Sequence, residues 1–361
     1  MNRTIRGLLS IFIAVLLSMI SWTAAGQEPS LTLSEAIQST LGNDLRLKVA
    51  KLNLANAEIA YQRAQANLLP TGSKIDELQA DLNWQQSQAN FEEARIQLLL
   101  DIVSQYLQLK DLQDRVPGLQ QKLELAQEEL AQVQSKVAIG SAGKLDELQA
   151  EINLKNAVNS LESARNDLED LKRSFSKATG IEARELEARR FVTDLPVVTL
   201  DKSLSEYLEL ALLNREELKF ARMQIGIDNL ELQRMRTENA PPLDINRGKN
   251  DVELSRINLT IEEDEIRDEV IGSYQSVKSL ERNVALRQLQ MEEAQEDYQN
   301  TEKQFDAGLK TQSDLLSKEV DFETAKLDYQ KAVGDYYLAY QRLLNSADLE
   351  LDLGGIDEQE G

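Results

Sequence analysis

The chain has no cysteine and no histidine. Without cysteine there are no disulfides, no thiolate nucleophiles, no thiolate zinc sites and no lipid-modified cysteine of the bacterial lipoprotein kind. Without histidine the commonest general base and the commonest metal ligand are missing, which leaves carboxylates, lysine and tyrosine for any chemistry. Turn formers and rings are scarce as well: 16 Gly and 6 Pro in 361 residues, with 5% aromatics. That composition favours long helices over strands. Positive charge is in short supply, with a net charge of −22. No long-range attraction to nucleic-acid phosphates or anionic lipid surfaces is expected.

Long apolar runs are also missing, apart from one at the N-terminus. Arg3 and Arg6 precede an apolar run from Leu8 to Ile20, and Ala24, Ala25 and Gly26 follow. This is the three-part pattern of a secretory signal, and the run is shorter than the roughly 20 residues of a membrane span. Residues 1–26 are therefore read as a signal peptide, with an uncleaved anchor as the alternative. The rest is expected to be exported to the periplasm or cell envelope, with no transmembrane span of its own.

What the chain does contain is repetition. "LSEAIQSTLGNDLRLKVAKLNL" from Leu33 aligns with "LSEYLELALLNREELKFARMQI" from Leu204, and "YLQLKDLQDR" from Tyr106 aligns with "YQSVKSLERN" from Tyr274, 168 residues further on. The expected organisation is a first helical repeat over 27–180, a connector over 181–203, a second repeat over 204–347 and an acidic tail over 348–361. In the connector, Pro196 and the β-branched residues argue against one continuous helix.

Each repeat carries heptads. Leu119, Leu123, Ala126, Leu130, Val133 and Val137 step by four and three, as do Leu154, Ala157, Leu161, Ala164, Leu168, Leu171 and Phe175. Phe322, Ala325, Tyr329, Ala332, Tyr336, Ala339 and Leu343 repeat the pattern, and 168 is a multiple of seven, so the seam keeps its phase. Small residues alternate with large ones, as knobs-into-holes packing requires. The predicted fold is all-α, built of long antiparallel coiled-coil hairpins in two tandem repeats. One helix spanning Ile75 to Val137 would be about 95 Å long, with Pro117 expected to kink or interrupt it. The second repeat has Ala285 at that place, so the two arms are expected to differ in straightness.

Opposite the seams lie Glu, Gln, Lys and Asp, the pattern of a solvated helix face. Nothing places two acids in a water-poor pocket, so no catalytic, cofactor-binding or metal-ligating residue is assigned and the chain is read as not an enzyme. The turns carry more information. "KVAIGSAGKLDELQAE" and "QFDAGLKTQSDLLSKE" occupy equivalent places, Gly140 matching Gly308 and Asp146 matching Asp314. Glycine suits a helix end that enters the left-handed conformation, and the polar residues after it suit the cap of the next helix.

Two copies of a helical half, the first beginning "LSEAIQSTLGNDLRLK", with an arm ending in "LLP", a long helix, a "DAGLKTQSDLLSKE" turn and a returning helix, resemble the TolC family of outer membrane efflux proteins, from about Leu31 to Leu344. The resemblance implies a homotrimer whose helices form a tunnel across the periplasm, working with a membrane fusion protein and an inner membrane transporter. Family members insert a β-hairpin between the "LLP" arm and the long helix. Here the joints are "LLPTGSKID" and "APPLDINRGKND", too short for two strands of about 9 to 11 residues each. The expectation is a TolC-like α-helical barrel without the β-barrel.

By the same resemblance the glycine turns are the tunnel mouth that meets the fusion protein. This assigns docking to Gly140, Ser141, Lys144, Gly308, Leu309, Lys310 and Thr311, and a ring of charge at the tunnel entrance to Asp314. The first turn departs from the usual glycine-leucine-x-threonine form. The alternative is that Gly140 and Gly308 only end helices and Asp314 only caps one. A bulky charged residue at 309 or 311 is expected to leave the helix terminus nearly unharmed. For function, the leading expectation is an efflux or export conduit; the rival is a non-conducting coiled-coil scaffold or holdase-like binder.

Overall fold

The computed structural model describes residues 30–71, 74–192, 195 and 198–353. The signal-like residues 1–26, Pro196 of the connector and the last eight residues of the acidic tail lie outside these. In chain order the elements are β1 (Ser30–Thr32), α1 (Leu33–Asn43), α2 (Leu45–Thr71), α3 (Lys74–Ala138), α4 (Lys144–Thr179), α5 (Ala183–Ala188) and β2 (Arg190–Val192). They continue with α6 (Leu204–Asn214), α7 (Glu216–Thr237), α8 (Pro242–Asp306) and α9 (Gln312–Ser346). The fold is all-α as expected, with one small addition: β1 and β2 pair in parallel, Leu31 opposite Phe191.

Both long helices have 65 residues, about 98 Å at 1.5 Å per residue. Their ends are displaced by 168 residues, Lys74 to Pro242 and Ala138 to Asp306. α2 and α4 pack end to end along α3, and α7 and α9 do the same along α8. The level of each pair is set by side chains: Tyr61 stacks on Trp84 at 4.9 Å between α2 and α3, and Tyr298 stacks on Phe322 at 6.2 Å between α8 and α9. None of the heptad seam residues from Leu119 to Val137, from Leu154 to Phe175 or from Phe322 to Leu343 is exposed. The two hairpins join because α3 also packs on α7 and α9. Across that join the Arg115 guanidinium meets Asp328 at 2.8 Å, and Arg287 of α8 approaches the same carboxylate at 3.6 Å.

Pro117 does not interrupt α3, which runs through it. A proline in a helix interior costs about 3 kcal/mol. Buried residues on both sides, Tyr106 and Leu109 before it and Ala126 after it, hold the helix on course by tertiary packing.

The joints settle the question of the missing strands. α7 passes into α8 through residues 238–241, where Asn239 takes φ 52° and the Ala240 amide donates to the Met235 carbonyl at 2.9 Å. Pro242 follows at the first helical position, where its missing N–H costs nothing. Between α2 and α3 only residues 72 and 73 intervene. Neither joint holds a β-hairpin.

The core is concentrated in a band at mid-height. One cluster gathers Leu31, Ile37, Ile102, Tyr106, Phe175, Phe191 and Tyr337; a second gathers Tyr207, Leu218, Ile266, Val270, Val277 and Leu343. Tyr106 ties the strands to α3. Its hydroxyl lies 2.5 Å from the Leu31 carbonyl and 2.7 Å from that of Val192, and its ring meets Phe191 edge-on at 5.3 Å. Burial pushes this hydroxyl well above its ordinary value, so it remains a donor. One turn-pair along α3, Gln113 accepts from the Phe191 amide at 2.9 Å and donates to the Arg189 carbonyl at 3.0 Å.

A second clamp has the same chemistry. Gln341 donates to the Asp352 carbonyl and accepts from its amide, both at 2.8 Å, while the Tyr337 hydroxyl donates to that carbonyl at 2.8 Å. Residues 349–353, read from the sequence as the start of an acidic tail, are therefore held against the core, and Leu351 touches both clusters.

Replacing Tyr106 with Phe strips the buried Leu31 carbonyl and the part-buried Val192 carbonyl of a shared donor, so a loss of about 1–3 kcal/mol is expected. The denaturant midpoint of Tyr106→Phe should fall, while that of Tyr61→Phe, whose hydroxyl serves only the exposed Gln65, should hardly move. Equal shifts would show that the clamp does not support the band.

Candidate functional site: the two glycine turns

At the end of each long hairpin the chain reverses through a glycine in the left-handed region. Gly140 has φ 75° and Gly308 has φ 73°. The hydrogen bonds match pair for pair. The Gly140 amide donates to the Val137 carbonyl at 3.0 Å and the Ser141 amide to Lys136 at 2.8 Å; the Gly308 amide donates to Phe305 at 2.8 Å and the Leu309 amide to Gln304 at 2.8 Å. This is the Schellman arrangement, which satisfies the last carbonyls of α3 and α8 and needs a residue without a Cβ at the turn.

The starts of the returning helices differ. Thr311 caps α9: its hydroxyl accepts from the Asp314 amide at 3.1 Å, and its own amide and hydroxyl donate to Asp314 Oδ2 at 2.9 and 2.8 Å. Gly143 holds the equivalent place before α4. Having no side chain, it keeps only half of this box, its amide donating to Asp146 Oδ2 at 2.8 Å. The departure of the first turn from the glycine-leucine-x-threonine form thus removes the capping hydroxyl. Thr311 is then not the neutral position expected from sequence, since a charged replacement would undo the cap. Leu309 makes no such side-chain contribution and remains the clean probe.

Gly140, Ser141, Lys144, Gly308, Leu309, Lys310, Thr311 and Asp314 are all exposed, and their hydrogen bonds stay within their own hairpin. Lys144 binds Glu147 at 2.7 Å. The Thr311 amide, helped by its hydroxyl, holds the Asp314 carboxyl below its ordinary value of 3.8. Asp314 therefore both caps α9 and stays charged. Sequence reasoning assigned Leu309, which is 75% exposed, but passed over two apolar neighbours: Ile139 is 80% exposed and Leu145 is 78%. The signal available was an apolar side chain on either flank of a glycine turn, where a solvated turn would carry polar ones.

Among the described residues no helix is long and apolar enough to cross a membrane, and no group of three or more carboxylates could hold a metal ion.

Two expectations follow from this geometry. Gly308→Ala forces a Cβ into the left-handed region, a cost of about 1–2 kcal/mol, although nothing lies within 4 Å of it. Gly118→Ala, inside α3 and equally unobstructed, should stabilise by up to about 1 kcal/mol. Thermal melts should therefore show opposite signs for the same substitution. For Asp314 the folded-state value is lowered, so its stabilising contribution is present above 3.8 and lost as the pH falls through the lowered value. The melting advantage of the parent over Asp314→Asn should hold at neutral pH and vanish in acid.

Known proteins share this architecture. The family described as outer membrane efflux protein matches residues 78–180, most of the α3–α4 hairpin. No curated protein matches the sequence. Among solved structures, the CmeC outer membrane channel of Campylobacter jejuni superposes with a TM-score of 0.66 at 13% identity, covering 90% of this chain and 90% of that one. VceC, an outer membrane protein of Vibrio cholerae, gives 0.61 at 12% identity over 87% and 95% of the two chains. The open state of the MtrE outer membrane channel of Neisseria gonorrhoeae gives 0.58 at 15% identity over 88% and 89%. At such identities the likeness to these structures is one of fold. Residues 78–180 thus carry the outer membrane efflux protein pattern, and the described chain as a whole carries the helical-tunnel fold of the TolC family, with both barrel hairpins absent.

Proposed function

We propose that this chain is an efflux or export component of the cell envelope. Three copies form a helical conduit, and the glycine turns dock onto a membrane fusion protein that links the conduit to an inner membrane transporter. The observation that carries the reading is the exposure of Ile139, Leu145 and Leu309 around two turns of matching geometry. An apolar side chain held out on a rigid turn gains nothing in a lone subunit, and it fits the buried centre of an interface. Asp314, charged and tied to Thr311, would stand in triplicate at the mouth and favour cations over anions. The conduit has no chemistry of its own in this reading; the energy for transport comes from the transporter.

The test is Leu309→Glu. Leu309 lies between the helices with its side chain free, so the substitution should leave the melt unchanged while burying an unpaired carboxylate in any docked complex. Cross-linking to a co-expressed membrane fusion protein should drop at least tenfold. Undiminished cross-linking by a folded, trimeric Leu309→Glu would show that the turn is not the docking surface.

A further inference from the structure

The chain does not leave the band where α9 ends. At Asp348, with φ 55°, it reverses, and the Leu349 amide donates to the Leu344 carbonyl at 2.9 Å. The strap that follows runs back along the helix, since Asp352 is held by Gln341 and Tyr337, five and nine positions before Ser346. Gln341 and Tyr337 open a stripe on α9. Gly334, Gln330, Leu327 and Glu323 continue it in alternating steps of three and four, so the face that grips the strap extends about 27 Å towards the glycine turn.

Two adjoining clefts between α3 and α9 lie along this stripe. The nearer one, bounded also by α4, has a volume of about 840 Å³ and an apolar lining of Leu107, Leu195, Leu327 and Leu338 beside Gly334. Leu107, Leu195 and Leu353 pack against one buried cluster, to which Leu338 belongs, so the strap has reached the rim of this cleft by Leu353. Its polar lining is mainly carboxylate, with Asp111, Asp167 and Asp170, and a segment that enters it does so best with uncharged residues. The farther cleft, about 360 Å³, shares Leu327 and Gln330 and adds Glu323. Its charge is opposite to that of the chain. Lys110, Arg115, Lys122, Arg190 and Lys326 line it against Asp114 and Glu323, while the whole sequence has a net charge of −22. Lys110, Arg115 and Lys326 each have a carboxylate at 2.8 to 3.2 Å. Arg190 reaches Asp114 only at 3.8 Å, and among the described residues Lys122 forms no ion pair.

The sequence after Leu353 reads "GGIDEQEG". Three uncharged residues come first, then Asp357, Glu358 and Glu360 with no cation among them. An extended chain advances about 3.3 Å per residue where a helix advances 1.5 Å. Counted from Asp352 beside Tyr337, Ile356 extends about 13 Å along α9, between Gln330 and Leu327, and Glu358 about 20 Å, level with Thr324. We propose that residues 354–361 lie in this groove, with Ile356 in the apolar cleft and Asp357 and Glu358 against Lys122 and Arg190. The strap then crosses from α9 to α3 beside the Arg115–Asp328 contact and fastens the join between the two halves. This holds whether or not the molecule is a conduit.

The chain has no cysteine, so two introduced thiols report on this contact alone. Under mild oxidation the full chain carrying Lys122→Cys with Glu358→Cys should form a disulfide within one chain, read by mass spectrometry as two joined peptides from monomer-sized protein. Glu358→Cys with Lys74→Cys, at the opposite end of α3, should stay reduced. The charge is tested separately. Lys122→Glu with Arg190→Glu should speed cleavage after Glu358 by a glutamate-specific protease at least fivefold, whereas Lys74→Glu should leave it unchanged. No link between 122 and 358, an equal link to 74, or cleavage indifferent to the double charge reversal would overturn the assignment. A link found only between chains would seat the segment in a neighbouring copy and overturn it as well.

Discussion

A helix of 65 residues has an apolar seam nearly 100 Å long, and most of a helix's stability in water comes from packing such a face rather than from propensity. Covering that seam is the constraint on which the rest of the architecture depends. No single returning helix does it here. α2 and α4 share α3 between them, and α7 and α9 share α8. Because each cover is in two pieces, the chain must cross from the upper piece to the lower piece at mid-height. The crossing elements, α1, β1, β2, α5, α6 and residues 349–353, all gather there.

That gathering explains where the core lies. The lower arms are two-helix coiled coils with few fully buried positions, among them Ala126, Ala150, Leu161 and Ala164. The band at mid-height buries Tyr106, Phe175, Phe191, Tyr207 and Tyr337 to 1% exposure or less. Irregular backbone packed among helices has to find partners for its polar groups, and the tyrosine and glutamine clamps supply them. Tyr106 with Gln113 does so for the two strands, and Tyr337 with Gln341 for Asp352. The arms extend from this densely packed band, an arrangement suited to presenting the two turns at a distance.

The turns and the outer helices α2 and α8 share one physical feature. Each exposes apolar side chains where the subunit by itself has nothing to cover them, and each does so at heptad or turn positions that fix the side-chain direction. Leu309 and Ile139 stand on closed hydrogen-bonded turns; Val49 and Ile257 stand on α2 and α8, while their counterparts in the other repeat, Phe220 and Ala89, pack in one cluster. A lone subunit therefore exposes apolar side chains at its sides and at its turns.

The sequence by itself determined what depends on local periodicity. The heptads from Leu119 to Phe175 and from Phe322 to Leu343 specified long antiparallel helices, Gly140 and Gly308 specified where they reverse, and the shortness of both joints excluded barrel strands. These were legible because a period of 3.5 residues, a left-handed glycine and a missing segment are read within a few turns of chain. Tertiary structure alone decided the rest. β1 and β2 are three residues each and 160 positions apart in register, too short to show alternation. Pro117 passes through α3 because packing on either side outweighs the bond it lacks. Residues 349–353 look like an acidic tail until Gln341 is brought beside Asp352. Val49 and Phe220 read alike in the two repeats; only the order of helices around the molecule leaves one exposed on an edge and places the other on α3, since burial belongs to neighbours far away in the chain.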